Sequence, residues 1–86
     1  MKSILFALSL LTGAVIDSET NEPITGAKIE VLGEEKITYT DFDGIYNMVE
    51  LSDTTQIKVS FITYQDTIVT YGQLKETGGD IKLISY

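Results

Sequence analysis

The residues best suited to chemistry are carboxylates in two short clusters. Asp17, Glu19 and Glu22 form one; Asp41-Phe42-Asp43-Gly44 forms the other. Spaced carboxylates can ligate a hard cation through oxygen, and the second cluster resembles the start of a calcium loop. A complete loop needs more oxygen ligands and a closing bidentate glutamate. Here Phe42 interrupts the series and no glutamate follows before Glu50. The competing use is structural: an aspartate side chain accepts from backbone N–H groups two residues on, and glycine takes a positive φ without steric cost. On that reading Asp17, Pro23, Gly26, Asp41, Asp43 and Gly44 are turn residues. The chain then carries no metal site, no catalytic residue and no cofactor, with weak cation binding by Asp17, Glu19 and Glu22 as the alternative.

What is missing narrows the chemistry further. The chain has no histidine, cysteine, tryptophan or arginine, and its six basic residues are all lysines. Histidine is the usual general base near neutral pH and the commonest metal ligand. Without it and without cysteine, structural zinc sites and the Ser-His or Cys-His nucleophile pairs are excluded. Carboxylate pairs and lysine are the remaining catalytic groups, so the expectation is a protein that is not an enzyme. The net charge of −7 opposes binding to phosphates, which requires a basic footprint; nucleic acid is therefore excluded as a partner. The five tyrosines raise a different use, stacking on sugars. Tyr39 and Tyr46 read as core or cross-strand residues, which leaves Tyr64 and Tyr71 as the exposed aromatics available for binding.

These residues must be positioned by strands. At 86 residues the chain is one domain, and one so small buries only ~60% of the surface its unfolded form exposes. Short β-branched and aromatic runs alternate with turn clusters, the pattern of a sandwich or barrel. Seven strands are expected, over 11–17, 26–32, 37–40, 45–49, 57–62, 67–71 and 81–84. Alternation points Ala27, Ile29 and Val31 inward, as it does Tyr46 and Met48, and Ile57, Val59 and Phe61. Pro23 cannot donate a ladder hydrogen bond and belongs in a loop or at a strand start. Residues 72–79 read as a loop, with a helical turn as the alternative.

Residues 1–10 admit two readings. Met1-Lys2-Ser3 followed by the apolar run Ile4 to Leu11 has the form of a secretory signal, a positive start before an apolar stretch. The other reading is an extra N-terminal strand of the fold. The run is too short to cross a bilayer, which takes about 20 apolar residues, so no membrane span is expected.

The turn and strand residues together carry a family resemblance. Gly13-x-Val15-x-Asp17, Asn21-Glu22-Pro23-Ile24-x-Gly26-Ala27-x-Ile29-x-Val31, Thr40-Asp41-x-Asp43-Gly44-x-Tyr46 and Ile57-x-Val59-Ser60-Phe61-Ile62-x-Tyr64 follow in order. The chain resembles the carboxypeptidase regulatory-like domain family over residues 11–84. The resemblance implies an all-β, seven-stranded Greek-key β-sandwich of prealbumin/transthyretin type, occupying 11–86. Such domains form N-terminal extensions of TonB-dependent outer-membrane receptors in Bacteroidetes-like bacteria and also accompany peptidases and envelope proteins. Two places depart from the family pattern: Thr63-Tyr64 stands where Gly-Tyr is usual, and Glu34-Glu35-Lys36 follows Gly33 where threonine and a second glycine are common. Both are expected to carry altered turns.

The implied function is a non-catalytic protein-binding or scaffolding module of the bacterial cell envelope. It would be accessory to an outer-membrane uptake or surface system and meet a protein partner by sheet-edge pairing. The location is periplasmic or outer-membrane associated if the leader is functional, and cytoplasmic otherwise. With no plug or barrel sequence after Tyr86, transport itself is not expected. A carbohydrate-binding module and a stand-alone receptor-extension fragment with no separate role are the alternatives. The hydrolase of transthyretin type relies on histidine and arginine, which this chain lacks. The oligomeric state and the edge that binds are not legible from the residues.

Overall fold

The computed structural model describes residues 10–86; the signal-like or extra-strand segment lies outside them, except Leu10, which begins the first strand. The strands are β1 (Leu10–Asp17), β2 (Lys28–Val31), β3 (Lys36–Tyr39), β4 (Ile45–Val49), β5 (Gln56–Ser60), β6 (Thr67–Thr70) and β7 (Ile81–Leu83), with one helix, α1 (Tyr71–Glu76), between the last two. They form two sheets, β4-β1-β7 and β3-β2-β5-β6. The seven-stranded sandwich is as expected.

Period-2 alternation builds the core. On β2, Ile29 and Val31 are buried; opposite them on β5 stand Val59 and Ile57. Tyr46 and Met48 of β4 and Val15 of β1 face them from the other sheet, and Ala27, Ile81 and Leu83 complete the cluster. Outward on the four-stranded sheet stand Lys28 and Glu30, Lys58 and Ile68, and, on β3, Ile37 and Tyr39. Tyr39 is thus a cross-strand partner of Lys28 on the exposed face; it is not a core residue, because the register sets it beside an outward lysine.

β1 is the central strand of its sheet. Leu10 to Ala14 pair antiparallel with β4, and Val15 to Asp17 pair parallel with β7. At Gly13 the segment that follows α1 crosses the inner face of the strand. A Cβ there would lie 2.0 Å from the Gly79 carbonyl oxygen, so backbone occupies the place of a side chain. The buried Tyr46 hydroxyl fixes the crossing by donating to that same oxygen at 2.6 Å. Burial, with help from Asp80 and Tyr71, pushes the Tyr46 phenol well above its ordinary value, and it therefore stays a donor.

Of the stretch 72–79 expected as a loop, residues 72–76 belong to the helix α1, the alternative reading, and 77–79 form a turn. Thr70 caps the helix: its Oγ1 accepts from Gln73 N–H at 3.2 Å, and Gln73 Oε1 accepts from Thr70 N–H at 2.9 Å. This reciprocal capping box satisfies two otherwise unpaired donors. Tyr71 and Leu74, one turn apart, both face the core. Consequently Tyr71 is the first helical residue, not the end of β6, and at 2% exposure it offers no surface for binding.

Candidate functional site

The residues singled out in the turns come together at one end of the sandwich. Asp17 Oδ1 accepts from the N–H groups of Glu19 and Thr20 at 2.7 and 2.9 Å. Its Oδ2 accepts from the Tyr64 hydroxyl at 2.7 Å. The Thr20 N–H, the Tyr64 hydroxyl and the Glu19 N–H, in that order, hold the Asp17 carboxyl below its usual range. The same bond raises the Tyr64 phenol, with desolvation adding to it. Both Asp17 oxygens are therefore engaged in fixing the turn and docking the 61–66 loop against it.

Asp41 does the same work in the second turn. Its Oδ1 accepts from Asp43 N–H and Ile45 N–H, each at 2.9 Å. Gly44 has φ +74°, and a Cβ there would sit 2.9 Å from both Pro23 and the Val15 carbonyl oxygen, so the two turns pack too closely for a side chain. Pro23 makes an isolated bridge with Ile16, at a position where its neighbour Ile24 supplies the N–H to Val15. Gly26 donates to Thr40 O. Thr40, which sequence reasoning did not single out, joins both turns: its buried Oγ1 donates to Ile24 O at 2.6 Å and accepts from Ala27 N–H at 2.8 Å. The signal available was its place directly before Asp41. Asp43 stands exposed at the tip. Among the described residues no group of three or more His, Cys, Asp or Glu could hold a metal ion.

Thr63 has φ +75°, a left-handed conformation, at the place where glycine stands in the family pattern. Tyr64 is half-buried, its ring 6.2 Å from Phe61 and its hydroxyl taken by Asp17. It is a buttress of the first turn, not a free stacking platform.

The surface with unmet bonding capacity lies elsewhere. The sandwich has two open sides, one between β6 and β7 and one between β3 and β4. α1 crosses the first and leaves a recess of about 280 Å³. Among the described residues nothing crosses the second, and a cleft of about 480 Å³ lies there, with Ile29, Val31, Met48, Val49 and Leu51 in its lining, Thr38 and Asn47 beside them, and Glu35 and Lys36 at its rim. The free edge of β4 borders it. Val15 N–H donates to Gly44 O, and the Ile45 N–H and C=O both bond Asp41 on the far side from β1. Antiparallel ladders alternate, so the backbone groups of Asn47 and Val49 also point away from β1, into the cleft side.

A family model for the CarboxypepD_reg-like domain matches residues 11–84. The chain belongs to that family. No curated protein matches the chain. In this CarboxypepD_reg-like domain Asp17 and Asp41 accept from the N–H groups of their own turns, and Gly26 and Gly44 have positive φ. No described helix is long and apolar enough to cross a membrane.

Proposed function

We propose that this CarboxypepD_reg-like domain is a non-catalytic protein-binding or scaffolding module of the bacterial cell envelope, accessory to an outer-membrane uptake or surface system. The observation that carries the reading is the β3/β4 side, where a largely apolar cleft runs beside a strand edge whose outward backbone groups have no partner among the described residues. Such an edge binds extended protein segments by main-chain hydrogen bonds.

The chemistry supports a binding role. The carboxylates of Asp17 and Asp41 are engaged by backbone N–H groups, and the chain has no histidine or cysteine to form a nucleophile–base pair. The sugar-stacking alternative loses Tyr71 to burial and the Tyr64 hydroxyl to Asp17. The envelope location draws its support from Lys2 and the apolar run Ile4 to Leu11.

The test is fractionation of cells producing the full chain, with the intact mass of the recovered protein. A shortened form in the envelope fraction supports the reading. A full-length form confined to the cytosol removes the envelope assignment.

A further inference from the structure

Four edges end the two sheets, and they differ in what they offer. β7 carries Lys82, and the β6 side is crossed by α1. On β3 the residues facing into the sandwich are Lys36 and Thr38, because they stand opposite Val31 and Ile29. An inward lysine on an edge strand opposes strand addition. β4, Ile45-Tyr46-Asn47-Met48-Val49, has no charge, proline or glycine. Its inward residues are Tyr46 and Met48, and its Asn47 and Val49 backbone groups are directed to the open side.

A strand added there would place alternate side chains over Ile29, Val31, Met48 and Leu51. The rim carries Glu35 and Lys36; Lys36 is offset by Glu34 at 3.8 Å, which leaves Glu35 without an ion pair among the described residues. The chain's net charge is −7, so the long-range field also favours a cationic partner.

We propose that the free edge of β4 receives an extended segment of a partner protein, apolar at alternate positions and flanked by lysine or arginine, which adds as a strand and fills the β3/β4 cleft. This rests on the protein-binding reading above and names its surface and partner chemistry.

The probe is a short peptide of alternating valine and threonine with lysines at both ends, set against the same peptide ended in glutamates. Affinity is read by fluorescence anisotropy at low salt, and location by residue-resolved amide exchange on the full chain. The lysine-ended peptide is expected to bind at least about tenfold more tightly, an advantage that shrinks with salt, and to slow exchange at Asn47 and Val49. Val49→Pro removes an outward N–H while leaving the ladder to β1, and Glu35→Lys reverses the rim charge on an exposed turn; each is expected to weaken binding several-fold.

Equal affinity for the two peptides, no binding, or protection at β6 or β7 instead of β4 would overturn the proposal. So would slow exchange at Asn47 and Val49 in the free chain, whether it depends on protein concentration, as for a second copy, or is abolished by deleting residues 2–9, as for the chain's own segment. None of these results bears on cell fractionation, so failure here and failure of the envelope assignment are separable.

Discussion

Replacing Gly13 by alanine should destabilise this domain severely, although the same change at an unstrained, open position stabilises a protein by about 0.4–1 kcal/mol. The added Cβ would meet the Gly79 carbonyl oxygen at 2.0 Å and its carbonyl carbon at 2.4 Å. Ordinary contact begins at 3.4 Å, so the two backbones must part by about 1.4 Å (3.4 − 2.0). Gly79 cannot swing aside freely, since its oxygen is held by Tyr46 at 2.6 Å and its N–H by Leu74 O at 2.8 Å. Losing the buried Tyr46 bond costs about 1–3 kcal/mol, and forcing the packing apart about 1–3 kcal/mol more. The sum, roughly 2–6 kcal/mol, is a large part of the ~4–13 kcal/mol typical of a domain this size. Urea denaturation followed by circular dichroism reads it directly. With a slope of about 1–3 kcal/mol per molar, the midpoint should fall by at least about 0.7 M, or the variant should be unfolded in buffer. Gly33→Ala is the control: nothing lies within 4 Å of its Cβ, so it bears only the left-handed backbone penalty of about 1–2 kcal/mol. A Gly13→Ala midpoint equal to or above that of the parent would refute the crossing of Gly79 over β1.

Thr63→Gly should raise the urea midpoint, because a β-branched residue at φ +75° carries a left-handed penalty of about 1–2 kcal/mol. That exceeds the extra entropy of glycine in the unfolded chain, about 0.4–1 kcal/mol; a lowered midpoint would contradict this. Asp17→Asn should destabilise at pH 7, and the gap to the parent should close in acid. The folded carboxyl lies below its usual range, so its contribution is complete above the unfolded value of about 3.9 and lost as pH falls through the folded one. A gap constant from neutral pH to strong acid would show that charge at Asp17 plays no part. Millimolar calcium should leave the melting temperature unchanged, since a ligand bound only by the native state raises it. A clear rise would restore Asp41 and Asp43 as a cation site.

Much of the fold is legible because burial follows residue alternation. Ala27, Ile29 and Val31, or Ile57 and Val59, announce their face by polar neighbours alone, and Asp41 and Gly44 announce a turn by residue type. Helix α1 was legible in principle: Thr70 and Gln73 stand at capping-box spacing. Its six residues are too few for a sustained helical period, so the local pattern around Tyr71 read as strand. Tyr39 shows a different limit. Its face is set by register against Lys28, which depends on a tight turn several residues away.

The Asp17–Tyr64 bond and the Gly13–Gly79 crossing join residues far apart in the chain, and no local pattern encodes them. The same is true of the cleft. It exists because α1 covers one side of the sandwich and no described segment covers the other, which is a property of the assembled sheets and not of any one strand. The strand β4 could be read from residues 45–49, but the direction of its unpaired groups could not.

The measurement that bears most directly on the account is residue-resolved amide hydrogen exchange of the free, full-length chain, compared along β4. If its outer edge is open and available to a partner, Tyr46 and Met48, bonded to β1, should exchange slowly while Asn47 and Val49 exchange quickly. Asn47 and Val49 as slow as their neighbours would mean that the edge is already occupied, and the domain would have to work through another surface.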